Sequence, residues 1–121
     1  MAAHKVGGVA FLKVDGGQYL LRGDLIVSPD RVERKGVAGQ DGIHGYTETP
    51  RVPFITAKLT DTAGLSLAQL QAVVAATVTA ELNNGKVYLL REAWAAEARE
   101  LNTQEGSLEV RFEGMSCEEL L

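Results

Sequence analysis

The stretch from Ser28 to Pro50, SPDRVERKGVAGQDGIHGYTETP, reads as no packed secondary structure, and it limits what the rest of the chain can build. Glycines recur at every third position, Gly36, Gly39, Gly42 and Gly45, behind a charged cluster of Asp30, Arg31, Glu33, Arg34 and Lys35. Irregular connections beyond about 12–15 residues are uncommon in compact domains and usually turn out to be functional or disordered. In a chain of 121 residues, an arm of this size is expected to exist in order to touch something else.

Two readings of the arm stay open. One is a flexible surface loop. The other, which we favour, is an arm that orders against a neighbouring subunit: glycine lets a backbone approach closely, and the alternating charges of Arg31, Glu33, Arg34 and Lys35 can set register. The glycine series is not a phosphate loop, because no Gly-Lys-Ser/Thr follows and no strand–glycine–helix order is present. Four Gly-x-x steps without proline are also too few for a collagen helix.

The remainder alternates as strands do. VAFLKV (9–14) and QYLLR (18–22) flank Asp15-Gly16-Gly17, a hairpin signal. Leu25-Ile26-Val27 extends the apolar run until Ser28-Pro29 breaks it. VPFITAKLT (52–60) is β-branched and aromatic, with Pro53 at its entry. In 77–82, Val78, Ala80 and Leu82 face one way and Thr77, Thr79 and Glu81 the other; Asn83-Asn84-Gly85 then turns the chain into 86–91. That polar face is either solvated surface or, in a closed ring, the lining of a channel. Leu108, Val110 and Phe112 point inward, with Glu109, Arg111 and Glu113 outward.

One helix is expected over roughly 66–75. Ser66 is its N-cap, Gln69 completes a capping box, Leu65 and Leu70 are spaced as a hydrophobic staple, and Leu67, Leu70, Val73 and Val74 form the apolar face. EAWAAEAREL (92–101) leans to helix by propensity, yet it follows a strand without a cap, and 102–106 looks like a hairpin loop. It is therefore read as the continuation of a long strand. The expected fold is mainly β, two packed antiparallel sheets as a sandwich or small barrel, with one short flanking helix and the long protruding arm. The chain is one domain, residues 1–121, with 28–50 as the extended arm.

Charge and composition narrow the function. With 12 basic and 16 acidic residues the net charge is −4, which argues against a nucleic-acid-binding protein. A single cysteine, Cys117, excludes an internal disulfide framework and is expected to be inert. MAAHKVGG has no apolar signal core, and no run approaches the roughly 20 apolar residues of a membrane helix, so a soluble chain without a standard export signal is expected. His4 and His44 have no second ligand at metal spacing, and nothing calls for a cofactor. Asp41 beside His44 forms at most an acid–base pair. No catalytic constellation emerges, and the chain is expected not to be an enzyme.

Taken together, ERKGVAGQDGIHGY (33–46), PRVPFI (50–55), DTAGLSL (61–67), TVTAELNNGKVYLLR (77–91) and VRFEG (110–114) resemble, in order and spacing, the phage tail tube proteins of the Mu-like contractile-tailed group. The resemblance spans about Gly8 to Gly114 and leaves the C-terminal MSCEELL without a role. It implies a structural virion protein of the phage tail, assembled in the host cytoplasm. Hexameric rings would join their inner strands into one barrel and stack into a tube that passes DNA without binding it. The implied partners are the chain itself, the tail sheath, the tape measure and baseplate or initiator proteins, with no membrane. The long loop after the first hairpin would reach onto neighbouring subunits, which assigns Arg31, Glu33, Arg34, Gly36, Gly39, Asp41, Gly42 and Tyr46 as inter-subunit contacts. The competing readings are the tube of a phage-derived injection particle, a monomeric binding module that grips a peptide or sugar with the arm, and a small enzyme built on Asp41 and His44.

Overall fold

Alternation of apolar and polar residues dictates where the core lies. A computed structural model of the chain describes residues 10–15, 17–61, 66–97 and 101–120. Its elements are β1 (Ala10–Val14), β2 (Gly17–Tyr19), β3 (Leu21–Ser28), β4 (Val32–Gly39), β5 (Gly42–Pro50), β6 (Phe54–Thr60), α1 (Leu67–Gln71), β7 (Ala76–Leu82), β8 (Val87–Glu97), β9 (Leu101–Asn102), β10 (Ser107–Glu113) and β11 (Ser116–Leu120). The mainly-β expectation holds. Among the described residues, nine strands join in one sheet that curls into two layers, nearly closed like a barrel, in the order β2-β1-β7-β8-β10-β6-β3; β11 adds to β8 and β9 to β10. A separate two-stranded ribbon, β4–β5, stands apart from it.

Strand β8 makes the two layers. Val87 to Leu90 pair with β7 on one edge and β11 on the other, whereas Trp94 to Glu97 pair with β10. Between them Glu92 takes a left-handed backbone conformation, φ 50°, and the β7 register slips beside it. A bulge of this kind re-aims a strand and so carries β8 from one layer to the other. The helix-leaning 92–97 segment is thus a strand, as expected, because β10 offers it a ladder; tertiary pairing outweighs local propensity. Residues 98–100 lie outside the described part.

Leu12, Val14, Val78, Ala80 and Leu90 from one layer meet Ile55, Leu59, Leu108, Val110 and Phe112 from the other. Antiparallel register aligns these sets, pairing Phe112 with Ile55 and Leu108 with Leu59, so inward positions coincide across neighbouring strands. Burial of each such side chain stabilises the fold by about 1.5–3 kcal/mol against exposure. Helix α1 plugs one flank. Leu70 is fully buried, Leu67 and Val73 pack beside it, and the Val73 carbonyl accepts from the Ala95 amide of β8 at 3.0 Å. Ser66 is the N-cap, its hydroxyl accepting from the Gln69 amide at 3.3 Å.

Two helix expectations are corrected. The helix closes at Gln71 instead of 75, and Val74 is 73% exposed rather than on the apolar face. The chain must leave the helix by Ala72 to enter β7, which rotates Val74 outward. Leu65, and with it the staple, falls outside the described residues, as do His4 and Gly16.

The first hairpin forms as expected, but its second limb divides: Gly17–Tyr19 pairs with β1, and from Leu21 the chain crosses to pair with β6. The C-terminal segment, which had no role, is strand β11, completing β8 with Cys117 opposite Leu90.

Candidate functional site: an exposed two-stranded ribbon

The arm is not an irregular loop. Val32 to Gly39 and Gly42 to Pro50 form a regular antiparallel ladder around a Gln40-Asp41 turn, continuing outward from the β3–β6 pair. Pro29 and Pro53 interrupt the ladder at its base, since proline has no amide to donate. The connection there is held by the Arg51 amide to the Arg31 carbonyl at 2.8 Å and by the Arg51 guanidinium to the Ser28 hydroxyl at 3.3 Å. The sequence hid this because glycine every third residue masks a period of two. At Val37/Ala38 the register slips, leaving His44 as an extra residue followed by Gly45 at φ 139°, a conformation that favours glycine.

Every residue from Asp30 to Val52 is exposed. A two-stranded ribbon standing alone in water is marginal at best. Its large apolar side chains remain uncovered, with Ile43 86% and Tyr46 61% exposed. The expected contact residues all lie on the ribbon or at its base. Arg34 donates to Glu48 at 3.3 Å and lies 5.7 Å from the Tyr46 ring centroid, a cation–π arrangement. Gly36 sits opposite Tyr46, and Glu33 opposite Thr49, whose hydroxyl donates to the Glu33 carbonyl at 3.4 Å. Gly39 and Gly42 close the tip. A Cβ at Gly39 would meet the His44 ring where it now lies, so a side chain there would displace that exposed imidazole.

Asp41 and His44 do meet, Nε2 to Oδ1 at 2.6 Å. This contact, then the Asp41 backbone, holds the Asp41 carboxyl below its ordinary value of 3.8. An ionised carboxylate only accepts, so Nε2 is the donor. Both groups face solvent, and the pair staples the turn. Among the described residues no group of three or more His, Cys, Asp or Glu could hold a metal ion. No helix of the described part is long and apolar enough to cross a membrane. Cys117 is half-buried, and burial, then Glu118, pushes its thiol above the ordinary range.

Ile43, Glu48 and Val32 were missed by the sequence reading. Their signal lies in cross-strand pairing, which is invisible until Gly36 is known to face Tyr46. The Thr77, Thr79 and Glu81 face is half-buried on the outside of the β1–β7–β8 layer, where Lys13 pairs with Glu81 at 3.2 Å. On the other layer, the Arg111 guanidinium lies 3.8 Å from the Phe54 ring centroid and also pairs with Glu113 at 3.0 Å.

The fold is shared with components of contractile injection systems. It resembles the sheath/tube terminator of the extracellular contractile injection system PVC over 100% of both chains, TM-score 0.70 at 8% identity. The anti-feeding prophage tube-terminating cap matches 99% of this chain and 94% of that one, TM-score 0.68, 8% identity. A chain of the PVC sheath–tube complex matches over 92% and 87%, TM-score 0.58, 11% identity. At the sequence level the profile of the phage tail tube protein family matches residues 3–119, and the chain belongs to that family. It is 27% identical over 110 residues to the Mu-like prophage FluMu tail tube protein of Haemophilus influenzae, covering 91% of this chain and 92% of the relative.

Proposed function

We propose that this chain builds the inner tube of a contractile tail by assembling with copies of itself. Hexameric rings stack head to tail, their inner strands join around a lumen, and DNA passes through without specific binding. The contractile sheath surrounds the tube, tape measure and baseplate or initiator proteins set its length and start, and assembly takes place in the host cytoplasm before the tail enters the virion. The observation that carries this reading is the ribbon, a regular hairpin whose apolar side chains have no cover in the monomer. Family membership supports the tube role. One fold neighbour belongs to a sheath–tube complex, which supports the sheath as partner. The sequence relationship is to a tube protein, which favours the tube itself over its terminating cap.

A net acidic tube suits DNA passage: a chain of net charge −4 has no cationic excess with which to release counterions from phosphates and gain affinity for them. Open sheet edges such as β3 and β11 need partners or protection, and ring closure provides them.

The test is concentration-dependent sedimentation velocity with negative-stain electron microscopy. Rings or hollow tubes are expected from the intact chain. Replacing 36–45 by a short linker is expected to leave a folded body that no longer stacks. A monomer at every concentration, or tubes of normal length from the linker variant, refutes the reading of a self-assembling subunit or of the ribbon as its arm, respectively.

A further inference from the structure

We infer that the ribbon is two-sided, and that one particular face, carrying Val32, Arg34, Tyr46, Ile43 and Glu48, is the one buried against a second copy of this chain. The inference rests on the ribbon being an inter-subunit arm and adds which side of it does the binding.

Register separates the two faces. The pairs Val32 with Pro50, Arg34 with Glu48, Gly36 with Tyr46 and Ala38 with Ile43 share one face. The pairs Glu33 with Thr49, Lys35 with Thr47 and Val37 with Gly45 share the other, where the His44 ring lies over Gly39. The first face is built to lose water. Its only charges, Arg34 and Glu48, neutralise each other at 3.3 Å, and Arg34 also lies over Tyr46. The second face is built to keep water, because Glu33 and Lys35 have no ion-pair partner among the described residues. Burial of an unpaired charge is costly, whereas a pair with apolar neighbours is tolerated at an interface.

Relief points the same way. Gly36 beside Tyr46 and Ala38 beside Ile43 set a small residue next to each large one, making notches that admit a partner's backbone and knobs that enter its surface.

Charge and reach identify the occupant. From Asp30 to Arg51, four basic residues balance four acidic ones, so the rest of the chain holds the entire net charge of −4. The neutral ribbon is thus the part of this acidic protein that approaches another copy without repulsion, and it offers no cationic excess to a nucleic acid. Strands of eight and nine residues extend roughly 26 Å. A 100-residue domain with a radius of gyration of about 13 Å is roughly 34 Å across, so the ribbon reaches over most of one neighbouring body.

The experiment compares the same acidic change on the two faces: Ile43→Asp and Tyr46→Asp against Val37→Asp and Thr47→Asp. Assembly is followed by sedimentation velocity and negative-stain microscopy across a concentration series, and circular dichroism with a thermal melt checks the body. The first pair is expected to raise the assembly threshold at least tenfold or abolish assembly, and the second pair to leave it within about twofold, with melts unchanged. As a second measurement in the Cys117→Ala background, maleimide labelling of Ile43→Cys is expected to slow at least tenfold in tubes relative to monomer, while Thr47→Cys labels at its monomer rate. Equal effects from both faces, or the reverse order, would overturn the inference. If the linker variant lacking 36–45 fails to assemble while both faces behave alike, only the sidedness falls. If that variant makes normal tubes, or the intact chain stays monomeric throughout, the reading of the arm falls and the inference with it.

Discussion

Glu92 is the point at which one long strand serves two layers, and its backbone makes a sharp prediction. At φ 50° it is left-handed and exposed, and its side chain makes no hydrogen bond or ion pair among the described residues. A non-glycine residue there costs about 1–2 kcal/mol. Glycine removes that cost but loses roughly 0.5–1 kcal/mol through the greater freedom of its unfolded chain. Glu92→Gly should therefore stabilise the monomer by roughly 0.5–1 kcal/mol, raising Tm by roughly 2–5 °C for a domain of this size. Glu92→Ala should change stability by less than about 0.5 kcal/mol, since both residues meet the same backbone penalty. Glu92→Val, stiff at its β-branch, should destabilise by about 1 kcal/mol or more. The assay is urea unfolding at concentrations where sedimentation shows monomer, with an unchanged m-value confirming that the same surface is exposed. If glycine destabilises, or valine is tolerated as well as alanine, β8 does not turn its corner through a left-handed residue, and the account of how one strand joins the two layers is wrong.

Two further predictions follow from the core and the tip. Phe112 is fully buried between the layers, and Phe112→Ala should cost about 3–5 kcal/mol in urea unfolding; a loss under about 1 kcal/mol would mean that the layers do not close on it. Asp41 is held below its ordinary 3.8 mainly by His44, so an NMR titration should place it below that value, and His44→Ala should return it most of the way. A carboxylate with a depressed folded pKa lends stability above its unfolded pKa and loses it as pH falls through the folded one. The tip should therefore loosen only below about pH 3.8, seen as faster amide exchange at Gly39 and Gly42. An unshifted Asp41 titration would show that the contact does not persist in solution.

Much of this molecule is legible locally. The Asp15 and Asn83-Asn84-Gly85 turns, the alternation in 77–82 and 107–113, and the Ser66 cap all act over a few residues, so the sequence alone identified a mainly-β domain with one capped helix. The arm's location was readable for the same reason, because Pro29 and Pro53 bracket it and its charges and glycines are adjacent. Its conformation was not. The ribbon is a cross-strand ladder in which Arg34 meets Glu48 and Gly36 meets Tyr46, partners joined through a turn that the glycine spacing disguises. That is also why Ile43, the most exposed of the large apolar side chains, escaped notice.

Three decisions belonged to tertiary structure. The Ala- and Glu-rich 92–97 segment is a strand because β10 pairs with it; without that ladder its propensity favours helix. The tail 116–120 is a strand because β8 leaves an edge open beyond β7. Leu70 and Val73 are sealed against β8 while Val74 swings to solvent, because the helix must end early enough for β7 to begin. Sequence patterns specify which residues prefer an interior and where the chain bends. Which strand lies beside which, and therefore which side chains share a face of the ribbon, is settled by pairings that no local window contains.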